Sequence, residues 1–391
     1  MNSLILAWHY ICHYKGKTAI MISCVTLTVF LPLTLHQVLN QFQSQILHRA
    51  EQTPLVVGAK GSRFDLALHA LYFKAQISDT LSMKDVQQIQ ASGYAKAIPL
   101  HVRFTAKNYP VVGTSLEYTQ FRKLTVEQGR GLMQIGDCLV GAEVAKEFSL
   151  KPGDRLLTDP DNIFDIGGTY PLSMKVVGVL GKSYTADDDS VFVDVKTSWI
   201  IAGIGHGHQQ LGTSEDEKVI LERETSHVVA NAALVHHTEI TPKNIASFHF
   251  HAEPHDLPLT AIIAIPDSEK SKTLLQGRYV GTDTHAQVFD TSKVVEEMLG
   301  MILKVKRFFD ANSILVACST GLLLLLVLLL SLRLRQREMQ TMFYLGCSRW
   351  TIFRLQGTEL LITLTISFLA AVALSKGALF YAETWIRRLN F

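Results

Sequence analysis

The 391-residue chain contains only five cysteines, and just one of them, Cys138, lies in its large middle region. A lone cysteine cannot form a disulfide within that region. No C-x-x-C pair occurs anywhere in the chain. The sequence therefore predicts no disulfide framework.

An excess of charge of one sign is also lacking. Lys and Arg together number 37 and Asp and Glu number 35, which gives a formal net charge of +2. Nucleic-acid-binding domains carry a strong local excess of basic residues, so nothing in the composition indicates a nucleic-acid partner.

Catalytic and nucleotide-binding motifs are absent as well. The chain has no G-x-S-x-G and no H-E-x-x-H motif. Residues 178–183, Gly-Val-Leu-Gly-Lys-Ser, are similar to the end of a phosphate loop, but that motif requires glycine at position 176, where Val176 stands. We therefore predict that the protein is not an enzyme and that any ATP hydrolysis belongs to a separate partner protein.

Long apolar runs are what the sequence does contain. The mean hydropathy of +0.18 suits a large soluble domain tethered by a few membrane spans. The loop of residues 333–350 carries Arg333, Arg335 and Arg337, and the positive-inside rule places this loop in the cytoplasm. Three runs each supply the ~20 residues that cross a ~30 Å hydrocarbon core as a helix, at residues 17–37, 311–332 and 351–381.

The segments beside these runs complete the predicted outline. Residues 1–16 are predicted to form an amphipathic interfacial helix. Residues 38–53 and 293–310 are predicted to form two stalks, because their apolar residues recur at helical spacing. A cleaved signal peptide is the alternative for the first run, but no small-x-small cleavage site follows Leu35. With the N-terminus in the cytoplasm, the region between the two stalks is predicted to lie outside the cytoplasm. The tail, residues 382–391, is predicted to lie outside it as well.

The region between the stalks is predicted to be α+β, because short strand patterns alternate with helical ones. A strand is predicted at residues 54–59, a helix at 64–73, and a turn at 151–154 that leads into another strand. Residues 206–224 are polar and punctuated by glycine, which predicts a loop.

Histidine is concentrated in one part of this region, with eight of the fifteen histidines between residues 206 and 255. His249 and His251 share one face of a predicted strand, with Cα atoms about 7 Å apart, and His255 follows in the adjoining turn. His206 and His208 lie in the predicted loop, and this loop could fold over the other three histidines. Imidazole is a zinc ligand, so these five histidines predict a site for zinc or another divalent ion. A group of solvated surface histidines is the alternative.

Acidic residues give weaker signals. The three consecutive aspartates at 187–189 precede a strand and are predicted to form a solvated turn. The aspartates within residues 159–165 do not fit calcium-loop spacing, because Ile163 stands where a ligand is required. Glu359, which opens the third apolar run, could pair with Arg354 or face the interior of a dimer.

Motifs in several parts of the chain match those of one known family. With h for an apolar residue, residues 335–349, Arg-Gln-Arg-Glu-Met-Gln-Thr-Met-Phe-Tyr-Leu-Gly-Cys-Ser-Arg, are similar to the pattern RxREhxxhxxhGhSR. Residues 140–154 and 176–180 are similar to the pattern hGxxhAxxhxhxxGDxh followed by hxVVGhh, and residues 54–62 are similar to an opening strand. These motifs resemble those of the MacB/FtsX-type permeases of ABC transporters.

The resemblance implies an architecture and an assembly. The outer domain would combine a porter-like α/β part, residues 54–110 and 228–292, with an inserted β-rich part, residues 111–227. The protein would lie in the bacterial inner membrane as a homodimer, with this domain in the periplasm and a separate cytoplasmic ABC ATPase as partner. The resemblance also allows a periplasmic partner protein. Family members usually have four spans, whereas three are predicted here.

The resemblance also implies a function. A permease subunit of this kind transmits ATP-driven motion from a cytoplasmic ATPase dimer to its periplasmic domain, for export, extraction or other periplasmic work on a substrate.

The loop of residues 333–350 would be the contact with the ATPase. An apolar stripe beside charged residues on a short helix can dock in a groove on the ATPase. The alternative is that the basic residues of the loop act only as a topology signal and headgroup anchor. The alternative function is a membrane-anchored periplasmic zinc-binding or sensing protein without an ATPase. The ATPase-coupling residues implied by the loop motif are Arg335, Arg337, Glu338, Met342, Phe343, Leu345, Gly346 and Arg349.

Overall fold

The chain divides into two compact units, and each is described by itself. The helical unit comprises Met1–Ile46 and Met298–Phe391, and the sheet unit comprises Leu47–Glu297. The computed structural model describes residues 2–74, 76–160, 171–207, 220–223, 228–230, 239–250, 252–281, 284–334, 336–346 and 348–388.

Helices of very different lengths occur in the two units. The longest are continuous for 37, 44 and 40 residues. The helices are α1 Asn2–His13, α2 Lys15–Glu51, α3 Arg63–Tyr72, α4 Met83–Ala91, α5 Leu116–Phe121, α6 Ala142–Phe148, α7 Val195–Ile201, α8 Glu269–Arg278, α9 Thr291–Leu334, α10 Gln336–Tyr344 and α11 Arg349–Arg388, with short 3-10 helices at Ala186–Asp189 and Ile245–Ser247.

Three stretches of the long helices are long and apolar enough to cross a membrane. They are Lys15–Glu51, Arg307–Val327 and Phe353–Tyr381. Because a bilayer core requires about 20 apolar residues in a helix, the length and composition of these stretches confirm the three apolar helices predicted from the sequence.

Within the helical unit, α11 turns small and hydroxyl side chains inward. Ser367 and Ala371 are fully buried. The hydroxyl of Thr26 in α2 donates to the carbonyl oxygen of Ser367 at 3.2 Å, and Ser375 Oγ donates to Gln37 Oε1 at 2.7 Å. Small residues at helix contacts and large apolar residues on the outside are typical of membrane helices. The exposed apolar residues include Leu322, Leu326, Leu361, Leu369 and Phe380.

Glu359 also contacts α2 within this unit. Its Oε1 atom lies 3.4 Å from Lys17 Nζ. The sequence predicted a pair with Arg354 or a position facing the interior of a dimer, and the ion pair seen among the described residues joins Glu359 to Lys17 across the contact between α2 and α11. An acidic side chain near a membrane segment is stabilised by such a pair.

The sheet unit contains strands of two to twelve residues. They are β1 Leu55–Ala59, β2 Leu81–Ser82, β3 Ala95–Ala106, β4 Tyr109–Thr114, β5 Val126–Gly129, β6 Asp137–Val140, β7 Arg155–Leu157, β8 Ser173–Leu180, β9 Val191–Asp194, β10 Gly205–Gly207, β11 Ile220–Arg223, β12 Val228–Ala230, β13 Phe248–Phe250, β14 Pro258–Leu259, β15 Ala261–Pro266 and β16 Ala286–Phe289.

One large mixed sheet organises the sheet unit. Among the described residues it has ten strands in the order β16-β1-β15-β3-β4-β9-β6-β8-β5, with β7 paired to β8. The pairs β4/β9 and β6/β8 are parallel and the others are antiparallel. Strands from both of the predicted parts, 54–110 with 228–292 and 111–227, therefore hydrogen-bond within one sheet. Small two-stranded pairings join β2 to β14, β10 to β13 and β11 to β12.

Both faces of the large sheet are covered. In β1, Val56 belongs to one apolar cluster while Leu55 and Val57 belong to another, because successive side chains of a strand point to opposite faces. In β6, Leu139 shares the first cluster with Val56, so this cluster extends along one face from β1 to β6. A sheet buried on both faces reads as continuous apolar runs, which is why its strands are recognisable in the sequence.

Several local predictions are confirmed and one is wrong. The predicted strand at 54–59 is β1, the predicted helix at 64–73 is α3, and the turn at 151–154 leads into β7. The predicted loop at 206–224 is wrong in its described parts, since β10 and β11 are strands. One glycine of the predicted loop has another role: a Cβ on Gly207 would lie 2.8 Å from ring atoms of Phe248 in β13.

Candidate functional sites

A buried cluster of charged and hydroxyl side chains lies where α2 ends in the sheet unit. We call it the stalk clamp, and its members are Arg49, Tyr118 and Asp187. Arg49 Nη1 donates to Asp187 Oδ2 at 2.8 Å and Nη2 donates to Oδ1 at 3.0 Å. The Tyr118 hydroxyl donates to Oδ1 at 2.7 Å, and Arg49 Nη2 donates to that hydroxyl at 3.2 Å. The guanidinium and carboxylate thus form a two-pronged pair, the strongest geometry available to these groups.

The side chains of the stalk clamp are almost completely shielded from solvent. Arg49 is 5% exposed, Asp187 is 2% exposed and Tyr118 is fully buried. Burial alone would raise the pKa of Asp187, but the charge of Arg49 and hydrogen bonds from Arg49 and Tyr118 outweigh it and lower that pKa to about 2. Burial, together with the Asp187 charge, raises the pKa of Tyr118 to about 12. Asp187 is therefore ionised and Tyr118 is neutral at physiological pH.

The stalk clamp adjoins a contact between the end of α2 and the start of α9, both within the sheet unit. The Thr291 hydroxyl in α9 donates to the carbonyl oxygen of Ala50 at 3.0 Å and also contacts the carbonyl of Thr53. Thr53 Oγ1 in turn donates to the carbonyl oxygen of Arg49 at 3.0 Å. Thr53 and Thr291 are both fully buried. The end of one long helix is thereby fastened to the beginning of the other.

Arg122 adds a second cation to this region. Its Nη2 atom donates to Thr53 Oγ1 at 2.9 Å, and its guanidinium lies 4.8 Å from the centroid of the Phe121 ring and 5.7 Å from that of Tyr118. Burial, offset in part by Tyr118, lowers the pKa of Arg122. Asp187 is therefore bonded to Arg49 and also lies in the electrostatic field of Arg122, whose cation is stabilised by aromatic faces.

The solvated turn predicted at residues 187–189 is wrong for two of its three aspartates. Asp187 and Asp188 are buried, and Asp188 accepts hydrogen bonds from the backbone N–H groups of Ser183 and Tyr184, both at 2.7 Å. The sequence carries no signal for the Arg49–Asp187 pair, because the two residues are 138 positions apart. Without knowledge of their partners, three adjacent aspartates are predicted to be exposed to solvent. The apolar strand β9, which begins two residues after Asp189, is a local signal of burial.

The predicted ATPase-coupling residues lie around α10. Arg337, Glu338, Met342 and Phe343 are within α10, Leu345 and Gly346 follow it, and Arg349 begins α11, whereas Arg335 lies outside the described residues. Arg337, Phe343 and Leu345 are exposed. Gly346 has a φ of +92°, the left-handed conformation that glycine adopts at low cost after a helix.

Exposed apolar side chains surround that turn. Leu345 is 79% exposed, and Tyr344, Trp350 and Phe353 are also exposed. The rings of Trp350 and Phe353 stack with centroids 5.7 Å apart. We call these side chains, with Phe343, the loop patch. An exposed apolar patch of this kind is typical of a docking surface for a partner or a membrane.

Two of the five predicted metal-ligating histidines face each other across a pair of strands. His206 in β10 and His249 in β13 are directly opposite in the antiparallel register, and their ring centroids are 5.1 Å apart. His208 and His251 lie outside the described residues. His255 lies elsewhere, with its Nε2 3.5 Å from Asp256 Oδ2. Among the described residues, no group of three or more His, Cys, Asp or Glu side chains could hold a metal ion together.

Comparison with known proteins gives the family. The family model described as the MacB-like periplasmic core domain matches residues 18–231, more than half of the chain. The match extends from α2 through most of the sheet unit. The chain therefore belongs to the MacB/FtsX-type permeases of ABC transporters.

Two solved structures are similar to the chain. The periplasmic region of MacB from Actinobacillus actinomycetemcomitans is 11% identical, with 63% of this chain and 92% of that chain covered and a TM-score of 0.34. The extracellular domain of the noncanonic ABC-type transporter YknZ from Gram-positive bacteria is 12% identical, with 60% and 98% covered and a TM-score of 0.33. No curated protein sequence matches the chain.

Family membership has consequences for assembly and location. Permeases of this family are generally the non-catalytic membrane component of their transporter and act with an ABC ATPase. The family lies in the inner membrane with its core domain in the periplasm. The three apolar helices are the candidates for the membrane segments of this chain.

Proposed function

We propose that this permease transmits motion, driven by ATP hydrolysis in a cytoplasmic ABC ATPase dimer, to the sheet unit in the periplasm. Two copies of the chain would form the membrane part of the transporter. The sheet unit would then perform export, extraction or other work on a periplasmic or lipid-borne substrate, alone or with a periplasmic partner protein.

The observation that carries this proposal is the stalk clamp at the end of α2. The helix is continuous over Lys15–Glu51, and its last turn bears Arg49, which is fixed to Asp187 by two hydrogen bonds in a buried site. A continuous helix is a stiff rod, and a buried two-pronged pair resists rotation of its end. A movement of α2 would therefore be imparted to the segment of the sheet unit that holds Asp187.

The entry point for this motion would be the loop of residues 333–350. Its short helix α10 and the loop patch expose apolar side chains beside Arg337. An amphipathic helix that lays its apolar face in a groove is a recurring mode of protein recognition. We assign the docking of the ATPase to this segment, and we expect Arg335, Arg337 and Glu338 to contribute charge complementarity to it.

Hydrogen exchange of the full permease–ATPase complex tests the proposal. We expect amides of residues 183–190 to exchange at different rates with ATP and with ADP bound. The double variant Arg49→Met/Asp187→Leu removes both buried charges together, and in this variant the nucleotide dependence should disappear from that segment. Arg63→Met is the matched control, because the Arg63–Glu297 pair, 3.6 Å apart, is half exposed.

Two results would contradict the proposal. One is wild-type exchange in the sheet unit that does not depend on the nucleotide. The other is a double variant that retains the wild-type nucleotide response, which would show that the stalk clamp does not carry the motion.

A second candidate function is a membrane-anchored zinc-binding or sensing protein without an ATPase. The one observation that favours it is the pair of facing histidines, His206 and His249. Co-purification from co-expressing cells distinguishes the two, since recovery of a nucleotide-binding subunit with the chain is expected only for the permease.

A further inference from the structure

The antiparallel register of β10 and β13 places His206 and His249 side by side. Residues directly opposite in an antiparallel pair have Cβ atoms about 5 Å apart and point to the same face. His206 and His249 are such a pair, and their rings lie at an interplanar angle of 63°. The two imidazoles therefore reach the same volume beside the strands.

The separation of the rings matches a metal-bound pair. Two imidazoles that bind one zinc ion through bonds of about 2.1 Å at the tetrahedral angle have ring centroids about 5 Å apart. The observed distance is 5.1 Å. We propose that His206 and His249 together bind a divalent transition-metal ion, with Zn²⁺ the ion whose preferred geometry they fit.

The hydrogen bonding of His249 supports this assignment. Its Nδ1 atom lies 3.1 Å from the carbonyl oxygen of Ser247. A carbonyl oxygen only accepts, so Nδ1 carries the proton and the lone pair of the neutral ring is on Nε2. Histidines that bind metals commonly donate their other ring N–H to a carbonyl, which fixes the tautomer and the orientation of the ring.

The strands that carry the pair are held closely together. A Cβ on Gly205 would meet ring atoms of Phe250 at 2.7 Å, and one on Gly207 would meet ring atoms of Phe248 at 2.8 Å. The Phe250 ring also packs edge-to-face on Trp199, with centroids 6.2 Å apart. A site whose ligands stand on such supported strands is preorganised, which favours binding because little ordering is needed.

Among the described residues only His206 and His249 supply ligands, which leaves two positions of a tetrahedral ion for water or for a donor group of a bound molecule. Open positions are the feature that distinguishes a site for exchange or substrate binding from a closed structural site. The assignment is independent of coupling to the ATPase, because it rests on this strand pair alone. The other reading of the geometry is an edge-to-face ring contact without a metal, which gives the same range of centroid distances.

Zinc titration of the full chain in detergent decides between the two. The chelator-stripped protein is titrated with Zn²⁺ in competition with a chromophoric chelator. We expect one equivalent to bind to the wild type, and at least a tenfold weaker affinity in His206→Ala and in His249→Ala. His255→Ala is the control and should bind as the wild type, because His255 pairs with Asp256 and not with the two rings.

Cysteine variants keep the test decisive if an alanine variant does not fold. In His206→Cys and His249→Cys a thiolate, itself a zinc ligand, replaces the imidazole, so affinity within tenfold of the wild type is expected. Absence of zinc binding by the wild type would overturn the proposal. Alanine variants that fold and bind zinc as the wild type does would also overturn it, and would assign the metal to other histidines of the chain.

Discussion

Arg49 and Asp187 form a two-pronged ion pair, with N–O distances of 2.8 and 3.0 Å, in a site from which water is almost completely excluded. The pair joins the last turn of α2 to a 3-10 helix, Ala186–Asp189, that precedes a central strand of the large sheet. Removing two charges from water is costly, and this cost is offset only if both partners and their hydrogen bonds remain. The stability of the sheet unit should therefore respond asymmetrically to changes in this pair.

The first prediction concerns that asymmetry. Arg49→Met leaves a buried carboxylate without its cation, so we expect the free energy of unfolding to fall by about 3–5 kcal/mol. The double variant Arg49→Met/Asp187→Leu should recover most of this loss. Urea unfolding of the full chain in detergent, followed through tryptophan fluorescence, to which the buried Trp199 contributes, measures both. As the control, Arg63→Met should lower the free energy of unfolding by less than about 1 kcal/mol, because its ion pair is half exposed. An equal loss of stability in Arg49→Met and Arg63→Met would refute the prediction.

The second prediction concerns acid. The pKa of Asp187 is lowered to about 2 from an ordinary value of 3.8, so its carboxylate stabilises the folded state at every pH above the unfolded value. That contribution, about 2 kcal/mol, should be lost as the pH falls from about 4 to about 2. Unfolding free energies of the wild type and Asp187→Asn over this range check it. The variant should lack this component of the acid dependence, and identical slopes in the two proteins would contradict the assignment.

The third prediction concerns a buried histidine that titrates at milder pH. Burial lowers the pKa of His101 to about 4, with the neighbouring charge of Arg103 acting in the same direction. Ser198 Oγ donates its only proton to the carbonyl oxygen of Val195, so the contact of 3.0 Å requires that His101 Nδ1 donate to Ser198 Oγ. A neutral ring, protonated on Nδ1, therefore fills this site.

Protonation of that ring should destabilise the folded state. The folded pKa lies below the ordinary value of 6.5, so stability is full above about pH 6.5 and falls as the pH drops towards 4, by about 3 kcal/mol in total. Unfolding measured between pH 7 and 4 should show this slope in the wild type and not in His101→Gln. This pH range is separate from the one in which Asp187 titrates. If the slope persisted in His101→Gln, it would belong to another group.

What the sequence could predict depended on the range of the interactions. The strand β1 and the helix α3 were predictable because apolar spacing is a local property and both faces of the large sheet are buried. The partner of Asp187 was not, because Arg49 is 138 positions distant and no local pattern connects them. The histidine region was recognised by composition, but the direct pairing of His206 with His249 depends on the register of β10 and β13. Gly207, one of the glycines that suggested a loop there, permits close packing of the Phe248 ring instead.

The fourth prediction uses the other glycine of β10. Gly205→Ala places a Cβ about 2.7 Å from the Phe250 ring, so the ring or the strand must move and the two histidines should separate. We expect zinc affinity to weaken several-fold although both imidazoles remain. Gly131→Ala is the matched control, because nothing lies within 4 Å of the added Cβ. Titration of the two variants under the same conditions gives the comparison, and equal affinities would show that the strand spacing does not govern the site.

The last prediction concerns the loop patch and its partner. Leu345 is 79% exposed beside the turn at Gly346, and Val280 in the sheet unit is equally exposed, at 80%. If the ATPase docks on the loop patch, Leu345→Asp places a charge in an apolar contact and should reduce the ATPase recovered with the tagged permease at least tenfold. Val280→Asp makes the same chemical change on the sheet unit and should leave recovery unchanged. Because an exposed substitution of this kind rarely changes folding stability by more than about 0.5 kcal/mol, the amount of permease itself should be equal in both preparations. Equal recovery of the ATPase with both variants would mean that another surface makes the contact, and the path from the cytoplasm to α2 and α9 would then have to begin elsewhere on the helical unit.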